Sequence, residues 1–410
     1  MTDREFATDV VRRLQAAGFR ALWAGGCVRD EILGIAPADY DVASDARPEQ
    51  VQALFRRCIL VGASFGVVEV LGPRDEAGEW LKVQVATFRN DGAYSDGRRP
   101  DSVAYSSPED DAQRRDFTIN GMFFDPLNEE VIDYVGGQAD LANRTLRAIG
   151  DPTARFAEDK LRILRAVRMA ARFELSIDPA TLAAARRMAE QIRVVSVERI
   201  AEEFRKMLVN RHRARALMLL NEFDLVGPIL PELPRPFDAR TVRAMAALAG
   251  PVSFPLAFAV LLSGLNSKVV AAIARRLKLA NAETDRVAWL AAHEQFLFDA
   301  PTLPMSRLQP VLIHPGIDEL ITLSRAVALA TGSTVEPIEF AERILRTTAA
   351  EELNPAPLLR GDDLRSMGLK PGPEFKRILD AVRDRQLDRE LRTADDARRF
   401  VQSRSTPSVE

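Results

Sequence analysis

The stretch "GGCVRDEILGIAPADYDVAS", residues 25 to 44, decides the fold. The preceding "ALWA" carries β-forming residues, so the chain reads as a strand running into a Gly-Gly turn, then a helix over "CVRDEIL" closed by Gly34. Gly25 and Gly26 stand where backbone amides and a helix N-terminus can approach an anion such as a triphosphate. Asp39 and Asp41 follow, flanking Tyr40. Side chains alternate along a strand, so these two carboxylates project together. Like charges so close cost free energy unless a cation lies between them, and a hard divalent ion such as Mg²⁺ suits an all-oxygen pair.

The rest of the chain frames that element. It has 410 residues, 47% hydrophobic and 28% charged, the composition of a soluble globular protein of roughly two to four domains. Its longest apolar run, "FPLAFAVLLSGL" from Phe254, is too short to span a bilayer and reads as a buried helix. The first residues lack the apolar core of a signal peptide, which predicts a cytoplasmic protein without a membrane partner. Two cysteines, Cys27 and Cys58, and three scattered histidines suggest neither a disulfide framework nor a zinc site. Any metal is therefore expected on oxygen ligands.

Net charge is −3, yet residues 144 to 215 hold 17 Lys and Arg against nine Asp and Glu, leaving a net −11 elsewhere. A basic middle inside an acidic chain suits a polyanion gripped at one place, and the cluster Arg211, Arg213 and Arg215 is its expected phosphate contact. Up to about residue 145, short β-rich runs ("YDVAS", "FGVVEVLG", "WLKVQVATF") alternate with helical patterns; after Gly150 the spacing is helical throughout. The expected class is α+β, with a mixed head at 1–145, a helical neck at 146–210 and a helical body and tail at 211–410. The end, "QSRSTPSVE", reads as disordered.

A third element, "RRDFTINGMFFD" from Arg114 to Asp125, sets two arginines and an aspartate before an apolar run. Arg114 and Arg115 can fork onto phosphate or ribose oxygens, and Asp116 can fix their orientation or accept a ribose hydroxyl.

In order, "GGCVRD", "DYDVA", "VATFRNDGAYSDGRRPDSV", "RRDFTINGM" and "EDKLRILRAVRMAARF" resemble the signature of the class II tRNA nucleotidyltransferase and bacterial poly(A) polymerase family, a branch of the DNA polymerase beta superfamily. "LLRGDDLRSMGLKPGPEF" resembles a C-terminal segment of many bacterial members. The resemblance implies template-independent addition of C and A to the 3′ end of tRNA, from CTP and ATP, by a monomer or homodimer. It implies that Asp39 and Asp41 hold Mg²⁺, that Gly25, Gly26 and Arg29 face the triphosphate, and that Arg114, Arg115 and Asp116 contact ribose and phosphate. Arg115 is implied to be catalytic, and Asn120 of the same motif is placed among the nucleotide-binding residues. Many relatives carry an acid in the strand before "TFR"; here Gln84 stands there, and Glu69 is the candidate third carboxylate.

On a helical wheel, Ile163, Leu164, Val167, Ala170 and Ala171 share one arc, and Glu158, Asp159, Arg162 and Arg165 another. In the family the matching "EDxxR" offers donors and acceptors to the base edge. A carboxylate with a guanidinium can match C and, after a small rotation, A, while mismatching U and G.

Three alternatives bear weighing. An A-adding enzyme or poly(A) polymerase shares the motifs, but poly(A) polymerases of this family usually show basic residues in place of Ala63 and Ser64. A CC-only enzyme tends to lack the loop that "FRNDGAYSDGRRP" supplies. An idle RNA-binding protein would have no need of an intact Asp39, Asp41, Arg115 and Asp159.

Overall fold

The computed structural model describes residues 1–61, 66–92 and 102–405. Ala63, Ser64 and most of the loop after Asn90 lie outside the described residues. By contact density the chain forms two compact units, Met1–Phe237 and Asp238–Glu410.

The first unit begins with helix α1 (Asp3–Ala16), started by a capping box between Thr2 and Glu5. Its apolar positions Phe6, Ala7, Val10, Val11 and Leu14 fall on one buried stripe, which packs on the sheet over β1 (Ala21–Ala24) and the later strand β5 (Trp80–Thr87). Helix α2 (Gly26–Ile32) follows β1, then β2 (Asp41–Ser44), α3 (Pro48–Leu54), β3 (Cys58–Leu60), β4 (Val67–Arg74) and β5 (Trp80–Thr87). A short ladder pairs β6 (Arg89–Asp91) with β7 (Val103–Tyr105); α4 (Pro108–Gln113), β8 (Phe123–Asp125) and β9 (Glu130–Ile132) come next. Among the described residues seven strands form one sheet in the order β3-β4-β5-β2-β1-β8-β9.

Register gives this sheet its two characters. Val68 lies opposite Val85 and Val70 opposite Val83, and all four are buried. One residue out of phase, Glu69 lies opposite Gln84 and Gln84 opposite Asp41, which puts a polar row on the other face. Gln84 thus separates Glu69 from Asp41 by two strand spacings, about 10 Å.

Beyond α5 (Gly137–Ala142) the first unit is helical. Helix α6 (Pro152–Glu158) starts on Asp151, whose carboxylate accepts the amides of Thr153 and Ala154. Helix α7 (Leu161–Arg172) packs on α9 (Val197–Leu208) and α10 (Arg213–Glu222), with α8 (Pro179–Met188) against α6. The predicted buried arc of Ile163, Leu164, Val167, Ala170 and Ala171 is buried. The expected continuous helix is not there. Asp159 adopts extended backbone (φ −148°, ψ 106°) and breaks α6 from α7, so Glu158 and Asp159 share no helical face with Arg162 and Arg165.

The second unit is helical. Phe254–Leu261 is a buried helix, capped by Ser253. Leu359, Leu364, Val382, Ala397 and Val401 form a small core near the C-terminus. The last helix runs to Ser405, four residues into the tail expected to be disordered, because Ala397 and Val401 anchor its apolar side.

Candidate active site

Gly25 opens the site. Its φ of +78° favours glycine, and a Cβ there would lie 2.7 Å from a guanidinium nitrogen of Arg115. The turn therefore lets Arg115 cross directly over the backbone between β1 and α2. The helix after it is one of seven residues. Gly25, Gly26, Arg29, Asp39 and Asp41 line one cleft of about 560 Å³ with Arg114, Arg115, Asp116 and Asn120. Asp159, Arg162 and Arg165 line the same cleft, together with Met169, which sequence reasoning did not single out. Glu158 lines a smaller cavity next to it, shared with Arg114 and Arg155.

Strand β2 starts only at Asp41, but the alternation already holds: Asp39 and Asp41 are exposed to the cleft and Tyr40 is buried. Although Asp41 has an open edge, the protein around it strips hydration from the carboxylate; this burial and the charge of Asp39 push its pKa up to about 6, against the pull of Arg115. A pair so frustrated, with only oxygen donors, fits a hard divalent cation. Among the described residues no group of three or more His, Cys, Asp or Glu is arranged to hold a metal, so Glu69 does not join the pair. Under it, burial pushes the Cys27 thiol up to about 11, as befits a packed side chain.

Asp111, in α4 and 1% exposed, is the residue the sequence did not reveal. One of its oxygens accepts Nε and Nη2 of Arg114 at 2.9 and 2.6 Å, the other Nε and Nη2 of Arg115 at 3.1 and 2.9 Å. Burial alone would raise its pKa; the two guanidiniums overcome that and hold it low. The spacing i, i+3 and i, i+4 was the available signal. Asp111, and not Asp116, thus orients the two arginines.

Asp116 faces the helices instead. It accepts Nε and Nη2 of Arg165 at 2.9 and 2.6 Å, the Asn120 amide at 3.0 Å and the Phe117 amide at 2.9 Å. Burial opposes its ionisation, yet Arg165, Asn120 and Arg162 keep it well below the usual carboxylate range. Arg29 is 3% exposed. It bonds Asp30 at 2.6 Å and Asn120 at 2.5 Å, and its guanidinium lies 4.2 Å from the Phe173 ring centre. It forms part of the cleft wall, tying α2 to the turn after Arg115 and to the end of α7.

The two residues expected to meet a base edge both have partners. Asp159 caps Leu161 and pairs with Arg199 of α9; Arg162 pairs with Glu158 and donates to the Arg155 carbonyl at 2.9 Å. Behind them Arg168 and Glu203 form a buried ion pair at 2.5 Å. The expected basic cluster comes apart: Arg213 is buried and donates to the Leu208 and Val209 carbonyls that end α9, and Arg215 donates to the Leu175 carbonyl. Only Arg211 is exposed there, against His212.

Comparison with known proteins assigns the class. Residues 21–147 match the poly A polymerase head domain, and residues 174–235 match the probable RNA and SrmB binding site of polymerase A. The chain is 33% identical to the CCA-adding enzyme of Levilactobacillus brevis over 384 residues, 92% of this chain and 91% of that one. It is 38% identical to poly(A) polymerase I of Salmonella typhi over 260 residues, 60% of this chain and 54% of that one. It thus spans about half the length of the poly(A) polymerases it matches. The crystal structure of the Bacillus stearothermophilus CCA-adding enzyme in complex with CTP superimposes with a TM-score of 0.77 at 28% identity, over 98% of this chain and 99% of that one. The chain belongs to the family of RNA nucleotidyltransferases that holds the CCA-adding enzymes and the bacterial poly(A) polymerases.

Proposed function

We propose that this protein adds C and A to the 3′ end of tRNA, taking CTP and ATP as substrates and working without a nucleic-acid template. The observation that carries the reading is the single cleft lined by two open carboxylates, the Arg114–Arg115 fork, Asp159 and Arg162. Likeness over nine-tenths of the length of the Levilactobacillus brevis CCA-adding enzyme, against half of the Salmonella typhi poly(A) polymerase, supports tRNA completion over poly(A) synthesis. The head at 1–145 carries the chemistry, the neck at 146–210 selects the base, and the remainder at 211–410 takes the tRNA.

In the reaction the 3′ hydroxyl oxygen of the RNA bonds to the α-phosphorus of the nucleotide. The bond to the β-phosphate breaks, pyrophosphate leaves, and the hydroxyl proton passes to solvent. Asp39 and Asp41 would hold the divalent cation, Mg²⁺ in this reading, which would supply Lewis acidity at the 3′ hydroxyl and positive charge against the departing pyrophosphate. Arg114 and Arg115, fixed by Asp111, present their remaining N–H groups to phosphate oxygens without needing to reorganise. Asp159 and Arg162 offer an acceptor and donors to the base edge.

The experiment is a transfer assay with tRNA transcripts ending before, within and after the CC, given each nucleotide singly and together. Addition that stops after CCA supports the reading. Addition of A alone, or of long A tracts, would assign the protein to the A-adding or poly(A) branch.

A further inference from the structure

Tyr40 lies between the two cleft carboxylates in the chain, and its side chain points the other way. It is 5% exposed, while Asp39 and Asp41 open to the cleft. Three elements converge on it. The Trp23 indole of β1 meets its ring edge-on, with centroids 4.8 Å apart. Its hydroxyl donates to Glu31 Oε1 at 2.5 Å, in the last turn of α2. The same carboxylate oxygen accepts Nε of Arg4 from α1 at 3.2 Å, and the Arg4 guanidinium lies 5.3 Å from the Trp23 ring centre.

Resting on the assignment of Asp39 and Asp41 as the metal-holding pair, the geometry points to Tyr40, anchored by Glu31, as the positioning residue that aims both carboxylates at one cation. The sheet ladder takes up the chain at Asp41, opposite Gln84, so it orders only one side of the pair. On the Asp39 side the backbone direction is set by where the Tyr40 side chain is anchored. A rotation about this stretch would turn the two carboxylates apart, which their mutual repulsion favours when no cation is present. The anchor holds them converged before the cation arrives, so less ordering is needed on binding.

The test uses the full chain, with Mn²⁺ as probe. Mn²⁺ titrations followed by electron paramagnetic resonance, without nucleotide, are compared for wild type, Tyr40→Phe, Glu31→Gln and Asp41→Ala, alongside thermal melts. Tyr40→Phe keeps the ring against Trp23 and removes only the hydroxyl. It should weaken Mn²⁺ binding about fivefold, the factor that one hydrogen bond of ordinary strength supplies. The metal concentration for half-maximal transfer should rise by the same factor, with the rate recovering at saturating metal. Glu31→Gln should shift both in the same direction, and carries the test if Tyr40→Phe does not fold. A lowered melting point with unchanged Mn²⁺ affinity in both variants overturns the proposal and makes Tyr40 a packing residue. Identical titrations for wild type and Asp41→Ala overturn the metal pair itself, and this inference with it.

Discussion

Arg199 and Asp159, forty residues apart, meet as a two-armed ion pair with Nη1 on Oδ1 at 3.1 Å and Nη2 on Oδ2 at 2.6 Å. Asp159 sits at the break between α6 and α7, where backbone alone holds a side chain poorly. Arg199 supplies the missing constraint. We expect Arg199→Ala to relax discrimination against UTP and GTP roughly tenfold, since one base-edge pairing is worth about 1–3 kcal/mol. Arg199→Lys should recover only part of it, because an ammonium cannot fork onto both oxygens. Single-turnover rates with all four nucleotides check this. An equal loss for every nucleotide would make Arg199 a brace for the helices and nothing more.

Asp111 gives a contrasting expectation. It touches Arg114 and Arg115 but neither Asp159 nor Arg162, so Asp111→Asn should raise KM for CTP and ATP together, by about tenfold, and leave base discrimination alone. Removing one side of a buried ion pair also costs stability, about 3–5 kcal/mol, so melting curves accompany the kinetics. Unchanged KM values in a folded variant would contradict the assignment.

Much of this site was legible in the sequence because its signals are local. Two carboxylates at period two, a Gly-Gly turn after a strand and a doublet of arginines each declare themselves within a few residues. Arg199 gave no such sign, since nothing near it points to a carboxylate forty positions away. Asp111 was hidden among Glu109, Asp110 and Asp111, three acids of which only one turns inward. Arginine itself misled. Arg213 reads as a surface cation, yet its guanidinium ends α9 from inside, and Arg29 is built into the cleft wall. The break at Asp159 comes without proline or glycine; it is fixed by the Arg199 pair and by the cap on Leu161.

Asp116 links the site to stability. Its folded pKa lies below the unfolded value of about 3.9, so its ionised form stabilises the fold above that pH. The contribution is lost as pH falls through the folded pKa. Wild type should therefore lose melting temperature below about pH 4 faster than Asp116→Asn does, the variant having already given up the ion pair to Arg165 at neutral pH. Parallel pH profiles would show that Asp116 contributes no such linkage.

In the proposed function Asp39 and Asp41 carry metal-dependent nucleotidyl transfer to tRNA. The most direct measurement is CTP and ATP incorporation into a tRNA transcript lacking its CCA end, by wild type, Asp39→Ala and Asp41→Ala, in Mg²⁺, with tRNA binding measured in parallel. Both variants should bind the transcript as wild type does and add no nucleotide, because neither carboxylate supports the fold and both face the cleft. Turnover near the wild-type rate in either variant would contradict the account.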